Sequence, residues 1–148
     1  ISSMTSITNL IFYLCLAFGA GIQLAVGLGA CAGIGPLKKP PFLCRGKPID
    51  PSKGGVEAYL PFVFGFYFIS TALSPILGLL LRSTKAVQTA AFPALAFHAA
   101  VLWLISSGRF EDLQIIDHQR RPIKATRIIH ALLLIAWLNV ILFAPSFF

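Results

Sequence analysis

All seventeen charged side chains of this chain fall outside four apolar segments, 7–32, 59–81, 87–105 and 128–144. Crossing ~30 Å of hydrocarbon at 1.5 Å per residue takes about 20 mostly apolar residues, and the four segments run from 17 to 26 residues. A charge at the centre of such a helix costs about 3 kcal/mol or more, so charge placement marks where spans end. A helix of a soluble domain keeps a polar stripe, whereas these segments are apolar all round. The segregation predicts an all-α integral membrane protein: a single four-helix transmembrane bundle over 1–148, with a long Pro/Gly-rich first connection. The remaining residues make three connections and two tails, too little for a separate soluble domain. The 57% hydrophobic content and mean hydropathy of +0.82 agree.

The net charge of +7 does not point to nucleic acid, because the cations sit at helix ends and form no basic face interleaved with aromatics. Ten of the twelve Lys and Arg lie in the first and third connections and two, Arg82 and Lys85, in the second. By the positive-inside rule, the first and third connections face cytoplasm, stroma or matrix, and both termini lie across the membrane. The sequence opens on Ile1, with a Met at position 4. A cleaved targeting segment suits an amino terminus delivered across a membrane, and Met4 is the alternative start. Cys15 lies inside the first segment, while Cys31 and Cys44 bracket its exit on the side expected to be reducing. They are expected as unbridged thiols.

The first segment carries two ladders of small residues on opposite faces, Ala17, Gly21, Ala25 and Gly29 against Gly19, Gln23, Gly27 and Cys31. In lipid, small residues allow close backbone approach between helices. The helix is therefore expected to pack on both sides, within its own bundle or against a partner. The first connection holds Pro36, Pro40, Pro41, Pro48 and Pro51 among glycines, a composition that favours extended or turn structure. Pro61 is expected in the first turn of the second helix, where a missing N–H is harmless. Pro75 and Pro93 lie at one depth, releasing the carbonyls of Thr71 and Thr89, with Ser70, Ser74 and Gln88 available to satisfy them. Kinks paired at one level can open a cavity, although helix packing alone also accounts for them. In the third connection Phe110, Leu113 and Ile116 recur every three residues, the pattern of a short helix lying on the membrane surface and ended by Pro122. Lys124 and Arg127 then suit lipid phosphates.

Ionisable residues inside a membrane are functional candidates by default, and only two are present, His98 and His130. Counted from the charged surface, His98 lies about ten residues deep and His130 about three, a difference of ~10 Å. Unequal depth makes them a poor pair of axial ligands for one haem. Each alone suits an axial contact to chlorophyll, a proton carrier, or a hydrogen-bonded core histidine. Gln23 falls near the depth of His98, so a Gln23–His98 hydrogen bond between the first and third helices is expected, and Asn9 and Asn139 are positioned to pair similarly. His98, His130 and Gln23 are thus the candidate cofactor contacts, with chlorophyll, carotenoid or lipid as the cofactors considered.

The apolar segments hold no carboxylate for acid or base work, and the chain shows no His-Glu metal spacing, nucleophile elbow or phosphate loop. Asp117 and His118 beside Arg120 and Arg121 read as a solvated turn. The expected function is a non-catalytic accessory subunit of a large energy-transducing membrane complex, thylakoid before mitochondrial inner membrane, with other membrane subunits and lipid as partners. Small-residue faces, thirteen Phe and lone intramembrane histidines motivate this reading. The alternative is a small four-helix enzyme or carrier for a lipid or quinone, with His98 as its polar centre and the Pro75/Pro93 level as its cavity.

Overall fold

The computed structural model describes residues 2–33, 43–44, 47–48, 56–107 and 123–147. Four helices dominate: α1 (Ser2–Cys31), α2 (Val56–Leu80), α3 (Thr84–Ser106) and α4 (Ile123–Leu142). Within the first connection, two-residue strands β1 (Leu43–Cys44) and β2 (Lys47–Pro48) pair antiparallel, Leu43 opposite Pro48 and Cys44 opposite Lys47. The rest of that connection and the surface helix expected around Phe110 lie outside the described residues.

Among the described residues three helices contain stretches long and apolar enough to cross a membrane, Ser6–Cys31, Tyr59–Leu80 and Thr84–Ser106. The fourth apolar stretch, Thr126–Leu142, is shorter. The helix itself reaches back to Ile123, so Lys124 and Arg127 lie within its first two turns rather than in a connection. This corrects the boundary read from charge, because a membrane edge limits where charges sit and not where a helix begins. The same holds at α2, which starts at Val56 and leaves Pro61 in the second turn instead of the first.

Helix ends follow local chemistry. Gly33, with φ of +65°, stops α1 in the left-handed region that glycine adopts at no steric cost. Between α2 and α3 the chain turns in three residues. Arg82 takes φ of 50°, Ser83 N–H donates to Gly78 O at 3.1 Å, and the Ser83 hydroxyl caps α3 by accepting from Ala86 N at 3.2 Å. So tight a turn requires the two backbones to meet, and a Cβ on Gly78 would stand 2.7 Å from Val87 N.

Each helix packs against its two neighbours, α1 on α2, α2 on α3, α3 on α4 and α4 on α1. Gly27 meets Gly65 while Gln23 meets Thr71, and His98 meets His130 while Gln88 meets Ile141, so residue numbers run oppositely across each pair. The result is an up-down-up-down bundle. An apolar core of Phe12, Leu16, Ala20, Val87, Trp137 and Val140 with their small neighbours fills the end near the termini. Beyond it, toward the basic connections, comes a layer of buried polar residues.

Of the two ladders on α1, Gly19, Gln23 and Gly27 face the bundle, and Ala17, Gly21 and Ala25 are exposed. A Cβ on Gly27 would lie 2.8 Å from Gly65 O, and one on Gly19 3.0 Å from the Trp137 ring, whereas one on Gly21 would touch nothing within 4 Å. The bundle uses one face of α1 and leaves the other outward.

Pro75 is buried and Pro93 exposed, so the two do not enclose a cavity between them. Ser70 and Ser74 do not serve the carbonyls released by the prolines. Each donates to its own helix four residues back, Ser70 Oγ to Phe66 O and Ser74 Oγ to Ser70 O, both at 2.7 Å. Gln88 Nε2 instead donates to Ile141 O at 2.9 Å, and Thr84 Oγ1 to Pro145 O at 2.6 Å, tying the start of α3 to carbonyls at and beyond the end of α4. Asn139 likewise turns to its own helix, Nδ2 to Ile135 O at 2.8 Å, rather than to Asn9.

Candidate functional site

The buried polar layer draws one residue from each helix. Thr71 Oγ1 on α2 donates to Gln23 Oε1 on α1 at 3.1 Å. Gln23 Nε2 stands 3.4 Å from His98 Nε2 on α3, and His98 Nδ1 stands 2.9 Å from His130 Nδ1 on α4. Gln23 and His98 are almost fully buried, at 1% and 2% exposure. The three candidates named from the sequence therefore converge on one chain of hydrogen bonds.

The contact between Gln23 and His98 is the one the depth count anticipates. The contact between His98 and His130 is not, and it corrects the unequal depths assigned to them. His98 lies eight residues before the end of α3 and His130 seven after the start of α4, about 12 and 10 Å from those ends. The extra helical residues Ile123 to Arg127 remove the offset. Pro122, directly before Ile123, was the available signal, since proline favours the first turn of a helix. The sequence pattern marks Thr71 only through its released carbonyl, although its position four residues before Pro75 faces it toward Gln23.

An aromatic cluster covers the pair. Phe97 packs against His98 with ring centroids 5.3 Å apart and against His130 at 6.2 Å. Phe68 meets Phe97 edge to face at 5.3 Å, and Tyr67 meets it at 5.6 Å. The Tyr67 hydroxyl donates to Pro93 O at 3.0 Å, joining α2 to α3. Two turns along α4 from His130 toward the termini, the buried indole N–H of Trp137 has no hydrogen-bond partner among the described residues.

The geometry sets what these groups can do. Nitrogens 2.9 Å apart share a hydrogen bond, whereas two nitrogens that bind one metal ion tetrahedrally at ~2 Å stand about 3.3 Å apart. His98 has both ring nitrogens engaged, one toward Gln23 and one toward His130. No group of three or more metal-binding side chains occurs among the described residues. Cys15 and Cys31 are free thiols, and Cys31 Sγ fills the space against Gly65.

No family model matches the chain, and no curated protein or solved structure is similar enough to lend it a function.

Proposed function

We propose that the chain is an integral membrane protein whose four helices all cross the bilayer, serving as a small non-catalytic subunit of a larger energy-transducing membrane complex. The observation that carries this reading is the outer surface. Large apolar side chains point outward from all four helices, among them Leu14, Phe66, Phe92 and Ile135, a surface that suits lipid and other membrane helices rather than water. Tyr59 and Trp103 are 68% and 57% exposed near the basic ends of α2 and α3, where amphipathic rings suit a membrane interface. The apolar part of α4 spans about 26 Å, short of the full hydrocarbon thickness by an amount that bilayers absorb with slight thinning. In this reading both termini face away from the basic connections.

The exposed ladder Ala17, Gly21 and Ala25 supports the subunit role, because it offers a second close-packing face that the bundle itself does not use. Buried polar groups bond mainly to one another, as expected of a packing unit. The carrier reading draws less support, since His98 is enclosed on both sides and Pro93 points outward. Assignment to a thylakoid before a mitochondrial membrane, with chlorophyll, carotenoid or lipid held at the outer surface, rests on composition and the Phe-rich exterior.

Mild detergent extraction followed by a native gel tests the role. Co-migration with a large complex is expected, and its absorption spectrum reports any pigment. Recovery only as a small monodisperse particle from the native membrane would contradict the proposal.

A further inference from the structure

Two imidazoles that meet Nδ1 to Nδ1 at 2.9 Å need one proton between them. If both nitrogens carried a proton, two N–H groups would collide. If neither did, two lone pairs would face each other. The bridging position therefore holds a single proton, and the charge state of the pair is decided at its two outer nitrogens, Nε2 of His98 and Nε2 of His130.

The outer nitrogen of His98 faces the Gln23 amide. With Gln23 Nε2 toward it, His98 Nε2 is the acceptor and carries no proton. Rotating the amide by 180° presents Oε1 instead, and His98 Nε2 can then hold a proton and donate it. That rotation turns the Gln23 Nε2–H toward Thr71, whose hydroxyl must then accept. Thr71 accommodates this because its own proton has two alternative acceptors in reach, Tyr67 O at 3.0 Å and Phe68 O at 3.1 Å. Both orientations leave the Gln23 amide, the Thr71 hydroxyl and both ring nitrogens of His98 bonded, the condition for these buried polar groups to be tolerated in either.

We infer that His98 and His130 form a proton-binding site that takes up one proton per chain, with Gln23 and Thr71 as a hydrogen-bonding rotor that accommodates both charge states. In the neutral pair with the amide oxygen toward His98, His98 carries its proton on Nε2 and His130 donates Nδ1–H to His98 Nδ1, leaving a lone pair on His130 Nε2. An incoming H⁺ bonds there. The bridging proton can then pass to His98 Nδ1, sharing the charge between the rings. A second proton has no place, since it would put two N–H groups face to face and two like charges in contact.

His130, the half-buried member, is the entry. Toward the termini lies the apolar core, where the Trp137 indole can only donate and cannot pass a proton on. The groups facing the pair are Gln23 from α1, Thr71 from α2 with the Tyr67 hydroxyl behind Phe97, and the Phe97 ring from α3. On α4 itself Arg127 lies one turn before His130 and is exposed. The four apolar segments contribute no carboxylate. A proton bound here is held by the two rings and the amide.

Histidine ring ¹⁵N spectra of the full chain in lipid nanodiscs, recorded across a pH titration in a His118→Gln background, test the site. The two rings are expected to change together, with uptake of one proton per chain. Gln23→Glu, which puts a permanent acceptor beside His98 Nε2, should raise proton affinity at least tenfold, about one pH unit. Gln23→Leu, which removes the acceptor, should lower it by a similar factor. Two independent single-proton titrations, each unmoved when the other ring is replaced by Phe, would overturn the proposal. So would rings that stay neutral until helix content, followed by circular dichroism, collapses. The wild-type stoichiometry decides the question even where a variant fails to fold.

Discussion

His98 and His130 touch through their ring nitrogens across 32 positions of sequence, and this one contact links α3 and α4 at the depth where Gln23 and Thr71 join α1 to α2. The four side chains make an open belt of hydrogen bonds through the bundle, running from α2 through α1 and α3 to α4. Apolar packing above the belt comes from large and small residues in turn, with Phe12, Leu16 and Trp137 filling around Ala20, Ala72, Ala91 and Ala94.

Coupling within the belt is measurable. His98→Leu leaves the buried Gln23 amide short of a partner, so it should cost about 1–2 kcal/mol. With Gln23→Leu already present, the same substitution should cost about 1 kcal/mol less, because contacting residues are non-additive. Reversible unfolding in mixed micelles gives all four corners of the cycle. Strict additivity would remove the bond from the account.

Glycines on α1 should split by face. Gly27→Ala must push aside Gly65 O and the Ile69 backbone, and should destabilise by about 1–3 kcal/mol. Gly21→Ala meets open space and should gain up to about 1 kcal/mol from helix propensity. Thermal melts of the two variants beside the parent check the contrast, and equal effects would mean that α1 is rotated relative to this structure.

The proposed orientation rests on the distribution of Lys and Arg. A protease or thiol probe added from the cytoplasmic, stromal or matrix side should reach the connection between Lys38 and Lys53, while a tag after Phe148 should be reached only from the other side. Labelling of that tag from the basic side would reverse the topology.

How far the sequence was readable differs between depth, boundary and rotation. Depth was legible for Gln23 and His98, because α1 and α3 end close to where apolar residues give way, and counting back from those ends places both at one level. Boundary failed at α4. Arg127 and Lys124 mark where the apolar run ends, but the helix continues through them to Ile123, and that added turn carries His130 to the level of His98. Rotation was not legible for the prolines. Pro75 and Pro93 share a depth, yet which side of a helix faces inward is decided by all its contacts together, and only Pro75 faces the core. The roles of the Ser70 and Ser74 hydroxyls were not legible for a related reason: a carbonyl of the same helix four residues back is always within reach, whereas one freed by proline elsewhere must be met by geometry. The two ladders on α1 were visible as a pair, and the structure decided which of them the bundle uses.

The central claim is that the face of α1 left outside this bundle is where a larger assembly meets it. Gly21→Leu tests that directly. The variant should keep the helix content and melting temperature of the parent, since its new side chain enters open space, and should run on a native gel as the free subunit, missing from the large complex. A Gly21→Leu protein that enters the complex in full amount would contradict the claim.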